Sequence, residues 1–87
     1  MIGTKSATPV MVDWEAEAKL VLKAELARAG VSQKVLVGRL AAMGIADTES
    51  AFSSRLSRGR FSFVFFLQCM RALGVDDVRV GPRRGEG

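Results

Sequence analysis

The sequence predicts an all-α protein of four helices in a single small domain of 87 residues. Apolar residues recur at helical spacing along most of the chain. A Ser, Thr or Asp residue precedes each of four such segments in the position of a helix N-cap, and a glycine follows each segment, where helices commonly end. The expected N-caps are Asp13, Ser32, either Asp47 or Thr48, and Ser62, and the glycines are Gly30, Gly44, Gly59 and Gly74.

The first two predicted helices are amphipathic. The first runs from 14 to 29, and the second follows Ser32 and ends at Gly44. Gly38 lies inside the second helix, where glycine costs about 1 kcal/mol relative to alanine. We therefore expect another backbone to approach Gly38, a neighbouring helix more readily than DNA. The apolar stripes are Trp14, Ala18, Val21, Leu22 and Leu26 in the first helix and Leu36, Leu40 and Met43 in the second.

The third predicted helix, 48–57, has an inner face of Phe52 and Leu56 and is otherwise mostly small and polar. Serines are indifferent helix formers, so this is an unusual surface for a purely structural helix. Small side chains allow a helix to lie close to another surface. The basic turn Arg58–Arg60 follows it directly.

The fourth predicted helix, 63–73, is apolar on every side. Phe61 and Phe66 flank its N-cap at the spacing of a hydrophobic staple. Three neighbouring helices in so small a domain cannot bury such a helix completely, and we expect part of it to meet a second copy of the chain. The alternative is a fully buried central helix. The expected homodimer interface consists of Phe63, Val64, Phe65, Leu67 and Met70.

Neither end of the chain has apolar residues at helical spacing. Residues 1–12 are predicted to form a flexible arm, in which only 10–12 is expected to pack, and the helical domain spans 13–75. Residues 76–87 are expected to form either a short strand or a flexible basic tail.

The composition argues against several classes of protein. The chain contains no histidine and one cysteine, so it lacks the commonest general base and cannot build a structural zinc site. We expect no enzyme activity, no metal and no cofactor, and a buried, inert Cys69. The N-terminal segment lacks an apolar stretch long enough for a signal peptide, and no apolar stretch approaches the roughly 20 residues that a membrane span needs. A cytoplasmic, bacterial protein that does not insert in membranes is expected.

The net charge of +4 is concentrated in the middle of the chain. Residues 31–61 contain five basic residues against two acidic ones. A phosphate-facing surface would lie there, although a basic face exposed only to solvent is the simpler alternative.

The order of these elements resembles the lambda-repressor/Cro-like (XRE-type) helix-turn-helix. The resemblance covers roughly residues 20–75. Its matching residues are Leu22–Lys23, Ala27, Gly30–Leu36, Leu40, Gly44–Ile45, Arg55–Arg60 and Arg71–Val75. More narrowly, the segments Asp13–Lys19, Ser57–Gly59 and Phe65–Cys69 look like a family of small bacterial domains of unknown function, usually described as helix-turn-helix-like.

The resemblance implies a small dimeric transcriptional regulator that binds double-stranded DNA in the nucleoid. The helix after Ser32 would place its N-terminus at a backbone phosphate, and helix 48–57 would enter the major groove. The alternative is a helical protein-interaction module that uses the apolar helix 63–73 to recruit or inhibit a partner. The residues that the resemblance assigns to DNA are Ser32, Gln33, Lys34, Thr48, Glu49, Ser50, Ser53, Ser54, Arg55, Arg58 and Arg60.

Overall fold

The computed structural model describes residues 11–81 and contains four α-helices. The all-α class is confirmed. No strand forms among the described residues, so the predicted C-terminal strand is absent from 76–81. The predicted arm up to residue 10 and the predicted tail from residue 82 lie outside the described residues. The helices are α1 (Trp14–Ala29), α2 (Gln33–Ala42), α3 (Glu49–Arg58) and α4 (Phe63–Leu73).

Each helix begins at a side-chain cap that the sequence predicts. In each case the capping oxygen accepts a hydrogen bond from the backbone N–H three residues further on, at 3.0 to 3.2 Å. Of the two candidates before α3, Thr48 is the cap and Asp47 is not. Such caps each stabilise a helix by about 1 kcal/mol, because they satisfy an N–H group that has no partner within the helix. The four caps are Asp13, Ser32, Thr48 and Ser62.

The core lies where α1 and α2 both pack against α3 and α4. Phe52 is its largest fully buried side chain, and its ring lies 5.7 Å from that of Phe65. The predicted stripes are wrong at Trp14 and Met43, which are exposed, and Met11 does not pack. The buried apolar residues are Leu22, Leu26, Leu36, Leu40, Phe52, Leu56, Phe65, Cys69, Met70 and Leu73.

Helix α4 is buried on one side and exposed on the other, and the predicted dimer interface includes residues from both sides. Phe65 and Met70 belong to the core of the monomer, so the structure removes them from the predicted dimer face. The exposed residues Phe63, Val64 and Leu67 remain on it. One helix can bury only the side that faces its neighbours, and that side passes through Phe65 and Met70.

At Gly59 the backbone of the turn after α3 packs against the start of α1. Its φ of +69° is left-handed, and a Cβ built on it would lie 1.9 Å from the carbonyl oxygen of Glu15. The guanidinium of Arg60 also donates a hydrogen bond to the Glu15 carboxylate. Only glycine permits this close approach, which holds the α3–α4 turn against α1.

Gly38 faces open space, contrary to the expectation of a neighbouring backbone. No atom outside its own helix would lie within 4 Å of a Cβ at this position. The reason is that α2 buries the face of Leu36 and Leu40, and Gly38 lies on the opposite side.

Candidate nucleic-acid interface

A cationic cleft opens where three helices meet. It has a volume of about 150 Å³. We call it the lysine cleft. Helix α1 contributes two lysines, α2 contributes its first residue, and α3 contributes two serines and a leucine. The lining residues are Lys19, Lys23, Gln33, Ser53, Leu56 and Ser57.

The spacing of the residues within each helix explains how they meet. Lys19 and Lys23 are four residues apart and therefore lie one above the other on the same flank of α1. Ser53 and Ser57 have the same spacing on α3, each directly following a core residue. Because core packing sets the rotation of both helices, the two pairs face a common space.

The lysine cleft has a positive potential from two sources. Its lining includes two ammonium groups and no carboxylate. It also borders the N-terminus of α2, where the Ser32 side chain caps one N–H, the first turn contains no acidic residue and the helix dipole is positive. A phosphate group carries the charge and the acceptor oxygens that such a site favours.

The two lysines are not neutralised by a neighbour within residues 11–81. The ion pairs found there involve arginines, joining Arg28 to Glu25, Arg55 to Asp47 and Arg60 to Glu15. The positive charge of Lys19 and Lys23 therefore remains directed at the cleft and at solvent.

The face of α3 beside the cleft is exposed and carries short side chains. Ser50, Ser53 and Ser57 are exposed, while Ser54 is half-buried. Arg58 is exposed in the last turn, and Glu49 is exposed in the first. This face allows another surface to approach the helix closely, but only Arg58 offers it a long cation.

The guanidinium of Arg55 is engaged within the protein, although its side chain is 37% exposed. Its guanidinium donates two hydrogen bonds to the Asp47 carboxylate, at 2.7 and 3.2 Å, and lies 4.6 Å from the centre of the Phe65 ring. Arg55 therefore holds the segment before α3 against α4, and its predicted contact with DNA stays a prediction.

The remaining predicted residues divide into two groups. Gln33 and Ser53 line the cleft, and Ser32 and the exposed Lys34 adjoin it in the sequence. The Thr48 hydroxyl accepts the capping bond of α3, and Arg60 pairs with Glu15. Sequence reasoning missed Lys19, Lys23 and Ser57, although the four-residue spacing of the lysines was visible.

Neither a metal-ion site nor a membrane-spanning helix is found among residues 11–81. No three His, Cys, Asp or Glu side chains lie close enough there to hold a metal ion. None of the helices in this part of the chain is both long enough and apolar enough to cross a membrane.

The described residues form a small all-α domain with a cationic cleft where α1, α2 and α3 meet. The chain belongs to the family described as Domain of unknown function (DUF6471), whose profile matches residues 14–78. This agrees with the resemblance to small domains of unknown function. Comparisons with curated proteins and with solved structures found no significant match.

Proposed function

We propose that this protein binds double-stranded DNA, with α3 at the major groove and the lysine cleft on a backbone phosphate. The observation that carries the proposal is the convergence of Lys19, Lys23 and the N-terminus of α2 beside the exposed face of α3. We further propose that it acts as a small transcriptional regulator in the cytoplasm.

The dimensions of DNA suit this arrangement. The major groove is about 12 Å wide and admits one α-helix. Short side chains at Ser50, Ser53 and Ser57 allow the backbone of α3 to approach the groove, and their hydroxyls can donate to phosphate oxygens.

Most of the affinity is expected to come from phosphates rather than bases. Of the long basic side chains on α3, Arg55 is engaged by Asp47, and Arg58 lies in the last turn. Phosphate contacts determine the position and register of a protein on DNA but carry no sequence information. We therefore expect modest discrimination between duplexes of different sequence.

The direct test is titration of a labelled duplex at low salt, read by fluorescence anisotropy. Ser53→Glu places a carboxylate beside the two lysines and should weaken binding at least fivefold, since repulsion between unit charges near 4 Å costs about 1 kcal/mol or more. Gln68→Glu on α4 makes the same charge change outside the cleft and should bind like the wild type. Equal effects of the two variants would reject the cleft as the binding site.

An interaction module is the second candidate function, and one observation favours it. The outer side of α4 exposes Val64 and Leu67 beside Phe63, and such apolar surface often marks a protein contact. Absence of binding to any duplex at low salt would favour this function over DNA binding.

A further inference from the structure

An apolar groove lies on the side of α1 that faces the start of α4. Its volume is about 420 Å³. We call it the aromatic groove. It is separate from the lysine cleft, and no residue lines both. Its lining residues are Trp14, Glu17, Ala18, Val21, Phe61, Phe63, Phe66 and Val80.

Stacked rings form the floor of the aromatic groove. Phe66 stacks with Phe61 on one side and with Phe63 on the other, with ring centres 6.3 Å apart in both pairs. Phe61 also contacts the core residue Phe65, at 6.1 Å between ring centres. The floor is thus held in place by the core before anything binds, which reduces the entropy cost of binding.

Two aromatic side chains project beside this floor. Trp14 is 73% exposed and Phe63 is 71% exposed. An aromatic side chain offers 150–250 Å² of surface, so the two together expose roughly 250 Å². Isolated exposed apolar residues are ordinary, but two large ones beside a preformed aromatic floor resemble the centre of a protein interface.

The chemistry of the groove excludes some occupants. Among residues 11–81, no Lys or Arg lines it and Glu17 is the only ionisable residue that does, so this part of the chain offers nothing there to a phosphate. A small-molecule site needs several converging polar groups to orient its ligand, and these are also missing. The groove therefore suits an apolar protein surface.

We propose that the occupant is a second copy of this chain, which makes the aromatic groove a homodimer interface. A twofold contact pairs one surface with itself, so the surface must contain both a projection and a complementary depression. Trp14 and Phe63 supply the projection, and the floor at Phe66 supplies the depression. The side chains of one copy fill the groove of its partner.

Charge and area also favour a second copy. Glu15, which follows Trp14, and Arg60, which precedes Phe61, pair with each other within one copy. Two facing copies can exchange these partners, so that acid meets cation across a twofold axis. A standard interface buries about 800 Å² per partner, and the two projecting aromatics supply about a third of it. The stacked floor adds to this contact area.

This dimer leaves the lysine cleft open. On α1, Lys19 and Lys23 lie on one flank and Trp14 and Val21 on the opposite flank, given 100° of rotation per residue. The proposal does not depend on DNA binding, because it rests on a different face of the molecule.

The test is the mass of the full chain by sedimentation at about 1 to 100 μM, the range in which interfaces of this size begin to associate. The wild type should reach the mass of a dimer, and Phe63→Glu and Val80→Glu should remain monomeric at all concentrations. Val35→Glu is the matched control, because Val35 is an exposed apolar residue on α2 that does not line the groove, and it should remain dimeric. Circular dichroism establishes that each variant is folded. Because Val80 lies outside the helices, Val80→Glu tests the groove without placing a charge in a helix.

Three results would overturn the proposal. The first is a monomeric wild type at the highest concentration. The second is a dimer that Leu67→Glu dissociates and Phe63→Glu does not, which would place the interface on the outer side of α4. The third concerns Trp14, the only tryptophan. Acrylamide should quench the fluorescence of Trp14 in the monomer. If it does so only after residues 1–10 are deleted, the chain's own N-terminal segment fills the groove.

Discussion

The Asp47 carboxylate accepts two hydrogen bonds from the guanidinium of Arg55, eight residues later and on the next element of the chain. Asp47 also accepts a bond from the backbone N–H of Thr48 at 2.9 Å. The same guanidinium lies over the Phe65 ring. One ion pair therefore links the α2–α3 connection, α3 and α4, and it sets the orientation of the exposed face of α3.

This ion pair predicts unequal effects when its two members are removed. The Asp47 side chain is 5% exposed, whereas that of Arg55 is 37% exposed. Arg55→Ala leaves a buried carboxylate without its cation and should cost about 3 kcal/mol. Asp47→Ala leaves a guanidinium that can turn to water and should cost about 1 kcal/mol. Urea unfolding measures both, and a larger loss for Asp47→Ala would contradict the asymmetry.

Gly59 predicts a second stability difference. In Gly59→Ala the alanine must keep a left-handed φ, and its methyl group would overlap the backbone of Glu15. The turn or α1 must therefore move, and the free energy of unfolding should fall by more than about 2 kcal/mol. Gly74 has nearly the same φ, +73°, with nothing within 4 Å of a Cβ there. Gly74→Ala is therefore the matched control and should cost only about 1 kcal/mol. Equal losses in thermal unfolding would show that the contact with Glu15 is not needed.

Gly38 predicts a gain in stability. It lies inside α2, is exposed and has no neighbour to clash with an added methyl group. Gly38→Ala should raise the free energy of unfolding by about 0.5 to 1 kcal/mol, because alanine is the better helix former. If the variant were less stable, another backbone must approach this position in solution.

Cys69 predicts a loss of stability in alkali. Burial, and secondarily the negative charge of Asp47, raises the pKa of the thiol from 9.0 to about 12 in the folded protein. The folded state therefore disfavours the thiolate. The buried neutral thiol contributes fully to the free energy of unfolding below pH 9, and this contribution is lost as pH rises from 9 toward 12. By pH 11 the loss should reach about 3 kcal/mol.

The comparison variant is Cys69→Ala, which lacks the thiol. The stability of the wild type relative to this variant should fall between pH 9 and 11, measured by chemical denaturation. A constant difference over that range would mean that the thiol ionises as easily in the folded protein as in the unfolded one.

Local signals in the sequence predicted the helices well. A Ser, Thr or Asp cap and a following glycine act over three or four residues, so the starts of the helices at Asp13, Ser32 and Ser62 could be read directly. The staple of Phe61 and Phe66 is also local and is confirmed by their stacked rings.

Contacts between distant segments were harder to predict. Arg55 looked like a free cation because its partner Asp47 was an equally good helix cap by sequence alone. Glu25 is buried and pairs with Arg28, a fact that apolar periodicity does not reveal. The lysine cleft depends on how α1 packs against α3, which the spacing within one helix does not determine.

The central claim is that Lys19 and Lys23 neutralise DNA phosphates. The most direct measurement is the slope of the logarithm of DNA affinity against the logarithm of salt concentration, which changes by about 0.9 for each phosphate neutralised. The double variant Lys19→Gln, Lys23→Gln should flatten the wild-type slope by about 1 to 2. Arg71→Gln with Arg79→Gln removes the same charge from exposed positions outside the cleft and should leave the slope unchanged. The claim is contradicted if the wild type shows no salt-dependent binding, or if both double variants change the slope equally.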